Sequence, residues 1–276
     1  MTRDAIIANI ANLSVTPRVI RHLSGFLNDV NQDSDEVLGA LRVEPVLAGA
    51  IIAAANSPAH FRGERTLDLA QAVYRLGFRE TYRIALLITF RQGLRLSGLP
   101  DNKCADYLWR RAVTTACAME ESPNSHLDKT TGYTIGLLHL IGCLLLARSG
   151  DNDTLFDCTN PAALARAQAA TGGLSHPEAA ALALELWDFP PLICSAIRWQ
   201  YAPQNAGSHL EAALQLSRAV NVASFIEENR PDSPVYRRGA VPAVVRELER
   251  TVERRSYDLM SLFHLIPPSR PVWADV

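Results

Sequence analysis

Apolar residues recur at three- and four-residue steps along most of this chain. Between Val19 and Val30, for example, the apolar positions would form one stripe on a helix. The alternation of apolar and polar residues that indicates a strand is almost absent. The pattern therefore predicts an all-α protein.

Prolines and capping residues mark the predicted boundaries of the first helices. Helices should begin at Pro17, Ser34 and Pro45, where a proline or a short polar side chain suits the first turn. Asn56, followed by a serine and a proline, should end the helix that begins at Pro45.

The rest of the chain continues the helical pattern. Thr66 should cap a helix that ends at Gly77, and a second helix should run from there into an apolar stretch. Further helices are predicted from about Lys103, over residues 132–147, from Pro177, between the prolines at 191 and 203, over residues 210–229 and over residues 243–263, with a linker at 230–242.

The most apolar segment, residues 132–147, contains one histidine, His139. A helix that is apolar on all sides is buried in the core of a large protein or spans a membrane. This run is shorter than the ~20 residues that a membrane span needs. We therefore expect one central, wholly buried helix.

Composition and charge exclude several classes of protein. The 276 residues are 48% hydrophobic and 20% charged, with a net charge of -2, which gives no general reason to expect binding to nucleic acid or to a membrane surface. The five cysteines form no CxxC pair, which fits a reducing compartment. The first residues do not form a signal peptide. The expected location is the cytoplasm.

Histidines are the residues that would indicate a metal centre. The sequence has seven of them, His22, His60, His126, His139, His176, His209 and His264. The apolar run around His139 contains no carboxylate, and a capping or dipole role at a helix start is sufficient for His176. A catalytic metal needs several ligands from different helices and an open position for water. The residues alone therefore favour a core histidine at position 139 over a metal ligand.

Several segments, in order, resemble the HDOD family, the HD-related output domain of bacterial signalling proteins. Glu44-Pro45 and Asn56-Ser57 stand where that family has Asp-Pro and Asn-Ser, and the similarity continues through "LAQAVYRLGFRETYRIAL", "YLWRRAVTTACAM" and "TIGLLHLIGCLLLA" to about residue 225. The resemblance implies an N-terminal helical bundle over residues 1–102 and an HD-like helical core over residues 103–228. Residues 229–276 would form a linker, a helix and a tail.

The same resemblance locates the positions of an ancestral metal site. The HD superfamily of metal-dependent phosphohydrolases has a histidine where this chain has Arg111, a His-Asp pair at His139-Leu140, a lysine at Cys143 and a His-His pair at Gln200-Tyr201. His176 matches a superfamily position, but the acid expected near Val220 is absent. The vestigial positions are Arg111, His139, His176, Gln200 and Tyr201. The resemblance thus implies the fold without the activity, with no catalytic residue, metal or cofactor.

Arginines offer two candidate anion-binding groups. Arg75, Arg79 and Arg83 are spaced four residues apart in a segment that loosely resembles a helix-turn-helix, and could contact phosphates. An ordinary corner between two helices, with the arginines at a solvated edge, is the favoured interpretation, because the second helix continues into core-like sequence. The other group comprises Arg110, Arg111 and Arg198, which could form an anion pocket or simply be surface and ion-paired residues.

The function expected from the resemblance is that of a non-catalytic bacterial signalling or regulatory module, which binds a protein partner supplied in trans. A metal-dependent phosphohydrolase with an unusual site is one alternative. Nucleotide or nucleic-acid binding through the arginines is the other, although nucleic acid is not the expected partner. The sequence names neither the partner nor the oligomeric state.

Overall fold

The computed structural model describes residues 7, 34–58, 60–61, 63–96, 99, 102–122, 126–147, 160–229, 250–252 and 254. These residues form the helices α1 (Ser34–Arg42), α2 (Pro45–Ala55), α3 (Leu69–Leu76), α4 (Phe78–Leu96), α5 (Asn102–Glu120), α6 (Lys129–Leu138), α7 (Ile141–Ala147), α8 (Pro161–Ala170), α9 (His176–Leu186), α10 (Pro191–Arg198) and α11 (Leu210–Asn229). Short 3-10 turns occupy Pro203–Asn205 and Gly207–His209. No strand occurs in the part of the chain described, and the all-α prediction is confirmed.

The connection from α2 to α3 is held by one side chain. Asn56 follows α2, donates from Nδ2 to the Thr66 carbonyl at 2.7 Å and accepts the Thr66 backbone N–H at 2.9 Å. The prediction that Thr66 caps α3 is wrong: the N-cap is Asp68, whose side chain accepts from the Gln71 N–H. Thr66 instead bonds to the Asp68 backbone and to the Gln71 side chain.

The corner between α3 and α4 has the glycine that its backbone requires. Gly77 has a φ of 78°, in the region that favours glycine, and its N–H bonds to the Val73 carbonyl. Beyond the corner, residues 81–90 are all buried. Helix α4 is therefore a core helix, and these ten residues offer no exposed face that could lie in a DNA groove.

The segment 132–147 is not one helix, contrary to the sequence prediction. His139 and Leu140 form a turn between α6 and α7. In a continuous helix the His139 carbonyl would accept from the Cys143 N–H. Here the Gln200 side chain donates to that carbonyl at 3.1 Å, and the Cys143 N–H bonds to the Leu140 carbonyl at 2.9 Å.

Residues 129–147 together are long and apolar enough to cross a membrane by length and composition alone. However, 83% of the apolar window is buried inside the protein, as in the core helix of a globular fold. This degree of burial agrees with the prediction of a central core segment.

Two glycines allow neighbouring helices to approach on both sides of this turn. A Cβ atom on Gly136 would lie 2.5 Å from Ala116 Cα on α5, and one on Gly142 would lie 1.8 Å from the His176 carbonyl oxygen on α9. Real Cβ contacts are essentially never this short. The glycines therefore place the backbone of α6 against α5 and that of α7 against α9, which brings the His139 turn between them.

Helix α4 joins the N-terminal helices to the later ones. The Tyr82 hydroxyl lies 2.9 Å from Thr134 Oγ1 on α6, and Arg83 forms an ion pair with Glu120 on α5. One hydrophobic cluster runs from Val37 to Val252. The predicted boundaries at residues 102 and 228 stay predictions.

One helix was not predicted. Asn160 caps α8 through its side chain, and Pro161 occupies the first turn, so the local signal was present in the sequence. The helix predicted from Pro17 and the linker at 230–242 lie outside the described residues. Of the predicted last helix, residues 250–252 and 254 are described and are helical.

Candidate functional site

Five side chains from four parts of the fold meet at the turn between α6 and α7. Helix α5 supplies Arg111, the turn supplies His139, and α9 supplies His176. The segment after α10 supplies Gln200 and Tyr201. The five vestigial positions named from the sequence are thus brought into one buried cluster, joined by hydrogen bonds and electrostatic contacts.

His139 has no exposed surface, and its ring has one hydrogen-bond partner among the described residues. Its Nδ1 lies 2.6 Å from the Gly136 carbonyl oxygen. A carbonyl only accepts, so Nδ1 carries the proton and Nε2 is left with a lone pair that has no partner in the described structure. Burial lowers the pKa of His139 to about 3, and repulsion from Arg111 adds to this effect against the opposing hydrogen bond to Gly136. The imidazole is therefore neutral.

His176 is equally buried, and its ring is held from both sides. Its backbone N–H and its Nδ1 lie 2.8 Å and 3.1 Å from Oε1 of Gln168, and its Nε2 lies 3.3 Å from the Tyr201 hydroxyl. Burial lowers the pKa of His176 to about 3, helped by repulsion from His139 and Arg111. Nδ1 thus donates to Gln168, and Nε2 accepts from Tyr201.

The sequence suggested that capping could account for His176, but another residue caps α9. The N-cap is Ser175, which forms a capping box with Glu178. His176 begins the helix one residue earlier than predicted, and its side chain points into the core, where it is fully buried.

Arg111 is a buried cation, 4% exposed, without a carboxylate partner among the described residues. Its Nη1 donates to the Tyr107 hydroxyl at 3.3 Å and its Nη2 to Ser224 Oγ at 2.6 Å, while Nε is buried with no partner there. Buried charges are normally paired with an opposite charge. The neighbours of Arg111 are instead neutral hydroxyl groups and neutral imidazoles.

Gln200, Tyr201 and two apolar residues beside the turn complete the cluster. Gln200 donates to the His139 carbonyl, and its Oε1 is buried without a partner in the part of the chain described. Burial raises the pKa of the Tyr201 hydroxyl, which stays protonated. Leu140 and Cys143 are fully buried beside the turn.

This cluster keeps one feature of a metal centre and lacks the others. Ligating histidines commonly donate the second ring N–H to an oxygen, as both histidines do here. However, the described residues contain no group of three histidine, cysteine or acidic side chains that could hold a metal ion. A permanently charged guanidinium, which cannot ligate, lies close enough to repel charge on both imidazoles. The residues present do not fit a catalytic metal.

The three arginines spaced four apart do not share one surface. Arg75 donates to the Ala55 carbonyl at 3.2 Å, and Arg79 is exposed. Arg83 is buried, pairs with Glu80 and Glu120, and places its guanidinium carbon 5.2 Å from the centre of the Tyr133 ring. A single basic face is absent from this segment.

The second group of arginines is also dispersed. Arg110 pairs with the fully buried Glu227 on α11 at 3.4 Å, and Arg198 pairs with Glu185 on α9 at 2.8 Å. Only Arg111 belongs to the histidine cluster. Anion binding by these residues stays a prediction.

Sequence reasoning missed three residues that hold the cluster in place. Gln168 lies on the unpredicted helix α8, and Tyr107 lies one turn before Arg111 on α5. Ser224 lies one turn beyond Val220, the position where an acid was expected, and donates to the Val220 carbonyl at 2.8 Å. Tyr107 is four residues from Arg111 and Ser224 is four residues from Val220, so the sequence already placed each pair on one face of a helix.

A family model of the HDOD domain matches residues 13–203, more than half of the chain. The chain belongs to the HDOD family. No curated protein matches it.

Solved structures show the same HDOD fold. An HDOD domain protein of unknown function from Geobacter sulfurreducens is 17% identical with a TM-score of 0.64, over 95% of this chain and 93% of the other. A "Putative signal transduction protein" from Marinobacter aquaeolei VT8 is 19% identical with a TM-score of 0.61, over 95% and 65%. A "Putative phosphohydrolase" from Shewanella amazonensis SB2B is 19% identical with a TM-score of 0.56, over 95% of each chain. At these identities the likeness concerns the fold alone.

Proposed function

We propose that this HDOD chain is a non-catalytic module of bacterial signal transduction, which acts by binding a protein partner. The observation that carries the proposal is the buried Arg111 guanidinium beside His139 and His176. An HD-type phosphohydrolase needs a divalent cation at this place. The chain has a monovalent side-chain cation instead.

A guanidinium cannot replace a metal in hydrolysis. A metal ion lowers the pKa of a bound water so that it becomes a nucleophile at neutral pH, and it holds the phosphoryl oxygen as a Lewis acid. Arg111 has only N–H donors and no site at which a water could be bound as hydroxide. The cluster is also enclosed, since Arg111, both histidines and Gln200 are buried.

A regulatory role is supported by the kind of protein that shares the fold. The Marinobacter relative is named as a signal transduction protein, and this chain spans 65% of it. We propose that the module is cytoplasmic and that its input comes from a partner in trans. The buried position of residues 129–147 supports a core role for the one segment that could otherwise cross a membrane.

Metal analysis with a phosphodiesterase assay tests the non-catalytic part of the proposal. The purified chain should retain no stoichiometric metal after dialysis, and should not hydrolyse bis(p-nitrophenyl) phosphate or cyclic dinucleotides in Mn²⁺, Mg²⁺ or Zn²⁺. A His139→Ala variant serves as the matched control. Stoichiometric metal together with turnover that disappears in His139→Ala would contradict the proposal.

Partner binding is tested by affinity capture from a lysate of the native host, followed by calorimetry with the purified partner. Leu67 (88% exposed) and Tyr74 (91% exposed) are the most exposed large apolar side chains of the described residues, so they are the first positions to change. We expect Leu67→Ala/Tyr74→Ala to weaken binding about tenfold, which corresponds to about 1.4 kcal/mol. Leu210→Ala, on α11, is the control. Failure to find any protein that binds the purified chain would contradict this part.

A further inference from the structure

The buried cluster is rich in groups that accept a hydrogen bond or a cation. His139 Nε2 and Gln200 Oε1 are acceptors without a partner in the described structure, and His176 Nε2 is an acceptor bound to Tyr201. Lone pairs repel an anion and attract a cation. The lining thus favours a positive occupant over the anion that an arginine alone would suggest.

Both histidine rings are already oriented as ligands. Each Nδ1 is bound to an oxygen, from Gly136 or from Gln168, so that each Nε2 keeps a lone pair. In His176 that lone pair accepts from the Tyr201 hydroxyl, and in His139 it has no partner in the described structure. Such fixed tautomers are what metal-ligating histidines have. Neither ring carries a proton at Nε2 that would have to leave before a cation could bind.

Arg111 is the cation that the cluster contains. Its guanidinium lies close enough to oppose positive charge on both imidazoles and to affect the Tyr201 hydroxyl. It is held in place by Tyr107 and Ser224 and by no carboxylate of the described residues. Two like charges in a buried site repel each other strongly because the local dielectric constant is low.

We infer that Arg111 is a resident cation beside the His139 and His176 rings, and that its charge excludes divalent metals from an otherwise preserved pair of ligands. The inference deepens the proposed function, on which it rests, since it names the residue that keeps the module free of metal. It predicts that a single substitution at position 111 opens a metal site.

The decisive variant is Arg111→His, which removes the charge and adds a third imidazole. Three histidine ligands with an open fourth position form a common zinc site. We expect Co²⁺ to give a visible d–d absorption band with this variant, and Zn²⁺ at about 100 times its dissociation constant to raise the Tm by about 5 °C or more. The wild-type chain should show neither change.

Three further variants separate the charge from other effects. Arg111→Lys keeps the charge and should gain no metal, and Arg79→His adds an exposed imidazole elsewhere and should gain none. Adding His176→Gln to Arg111→His should remove the gain, because one of the two preserved ligands is lost. The opposite result for any of the three would overturn the inference.

Folding of Arg111→His must be followed together with metal binding. If the variant folds, as shown by its circular dichroism, and binds neither Co²⁺ nor Zn²⁺, the inference is overturned. If it is unfolded in EDTA, recovery of the native spectrum in Zn²⁺ supports the inference and failure to recover overturns it. Metal-dependent turnover by the wild-type chain would contradict the proposed function, whereas an inactive wild type with a metal-free Arg111→His would overturn this inference alone.

Discussion

Two buried arginines of this protein have opposite surroundings. Arg83, 7% exposed, pairs with Glu80 and with the buried Glu120. Arg111, 4% exposed, is bound by Tyr107 and Ser224 and faces neutral histidines. In the first region charge neutralises charge between α4 and α5. In the second, neutral polar groups surround the charge. The same residue type thus joins two helices by ion pairs in one place and lies among hydroxyl groups and neutral imidazoles in the other.

The largest difference should appear when each guanidinium is replaced by an apolar side chain of similar length. Arg83→Met leaves Glu120 in the core without the guanidinium that pairs with it, and breaking a buried ion pair in this way typically costs about 3–5 kcal/mol. Urea denaturation measures the free energy of unfolding. Arg79→Met, at an exposed position four residues earlier, is the control. A loss of less than about 1 kcal/mol would show that the pair does not stabilise the fold.

The next largest difference between the two regions should be in how low pH affects the free energy of unfolding. His139 and His176 have pKa values lowered to about 3, against about 6.5 in an unfolded chain. The unfolded chain therefore takes up protons below pH 6.5 while the folded chain does not, so the stability that is complete above pH 6.5 falls as the pH drops towards 3. Two such histidines should lower the free energy of unfolding by about 2.5 kcal/mol between pH 7 and pH 5.5.

The pH dependence is checked by urea titrations of the wild type and of two variants. His139→Gln should remove about half of the histidine contribution, since one titrating group is lost. Arg79→Met, at an exposed position and with no buried carboxylate left without its cation, should keep the full dependence on pH. An unchanged slope in His139→Gln would show that this histidine is protonated in the folded protein.

Arg111→Met should have a smaller effect than Arg83→Met. It removes hydrogen bonds to Tyr107 and Ser224, but it also removes a charge from the core and leaves no described carboxylate unpaired. These contributions offset each other, so the free energy of unfolding should stay within about 1 kcal/mol of the wild type. A loss as large as that in Arg83→Met would mean that Arg111 has a counter-charge.

The smallest effect is expected for an exposed arginine. Arg198 pairs with Glu185 at 2.8 Å, but the two side chains are 34% and 48% exposed. Arg198→Ala should change the free energy of unfolding by less than about 0.5 kcal/mol, because solvent and salt screen such pairs. The measurement sets the baseline against which both buried arginines are judged. A loss of more than about 1 kcal/mol in the free energy of unfolding would show that Arg198 stabilises the fold as a buried ion pair does.

Local signals predicted most of the described helices. Ser34 and Pro45 begin α1 and α2 as expected, and Gly77 has the positive φ that its corner requires. The break at His139 could not be predicted in this way. The His139 carbonyl accepts no helical hydrogen bond there. It accepts one instead from the side chain of Gln200, 61 residues away.

The site was predicted in part. All five vestigial positions meet in the cluster, because the fold brings together the segments that the resemblance identified. The supporting contacts of Gln168 and Ser224 were missed, since one lies on an unpredicted helix and the other bonds across 113 residues of chain.

The sequence by itself determined most of the helical segments and which side chains could not hold a metal. Periodicity, caps and prolines act over a few residues, and an arginine keeps its proton in any surroundings. Only the tertiary structure decided that Arg83 and Arg111 are buried while Arg79 is exposed. It also decided that Arg83 lies beside carboxylates and Arg111 beside hydroxyl groups. Burial and pairing depend on helices that are distant in the chain, so no local pattern could distinguish these arginines.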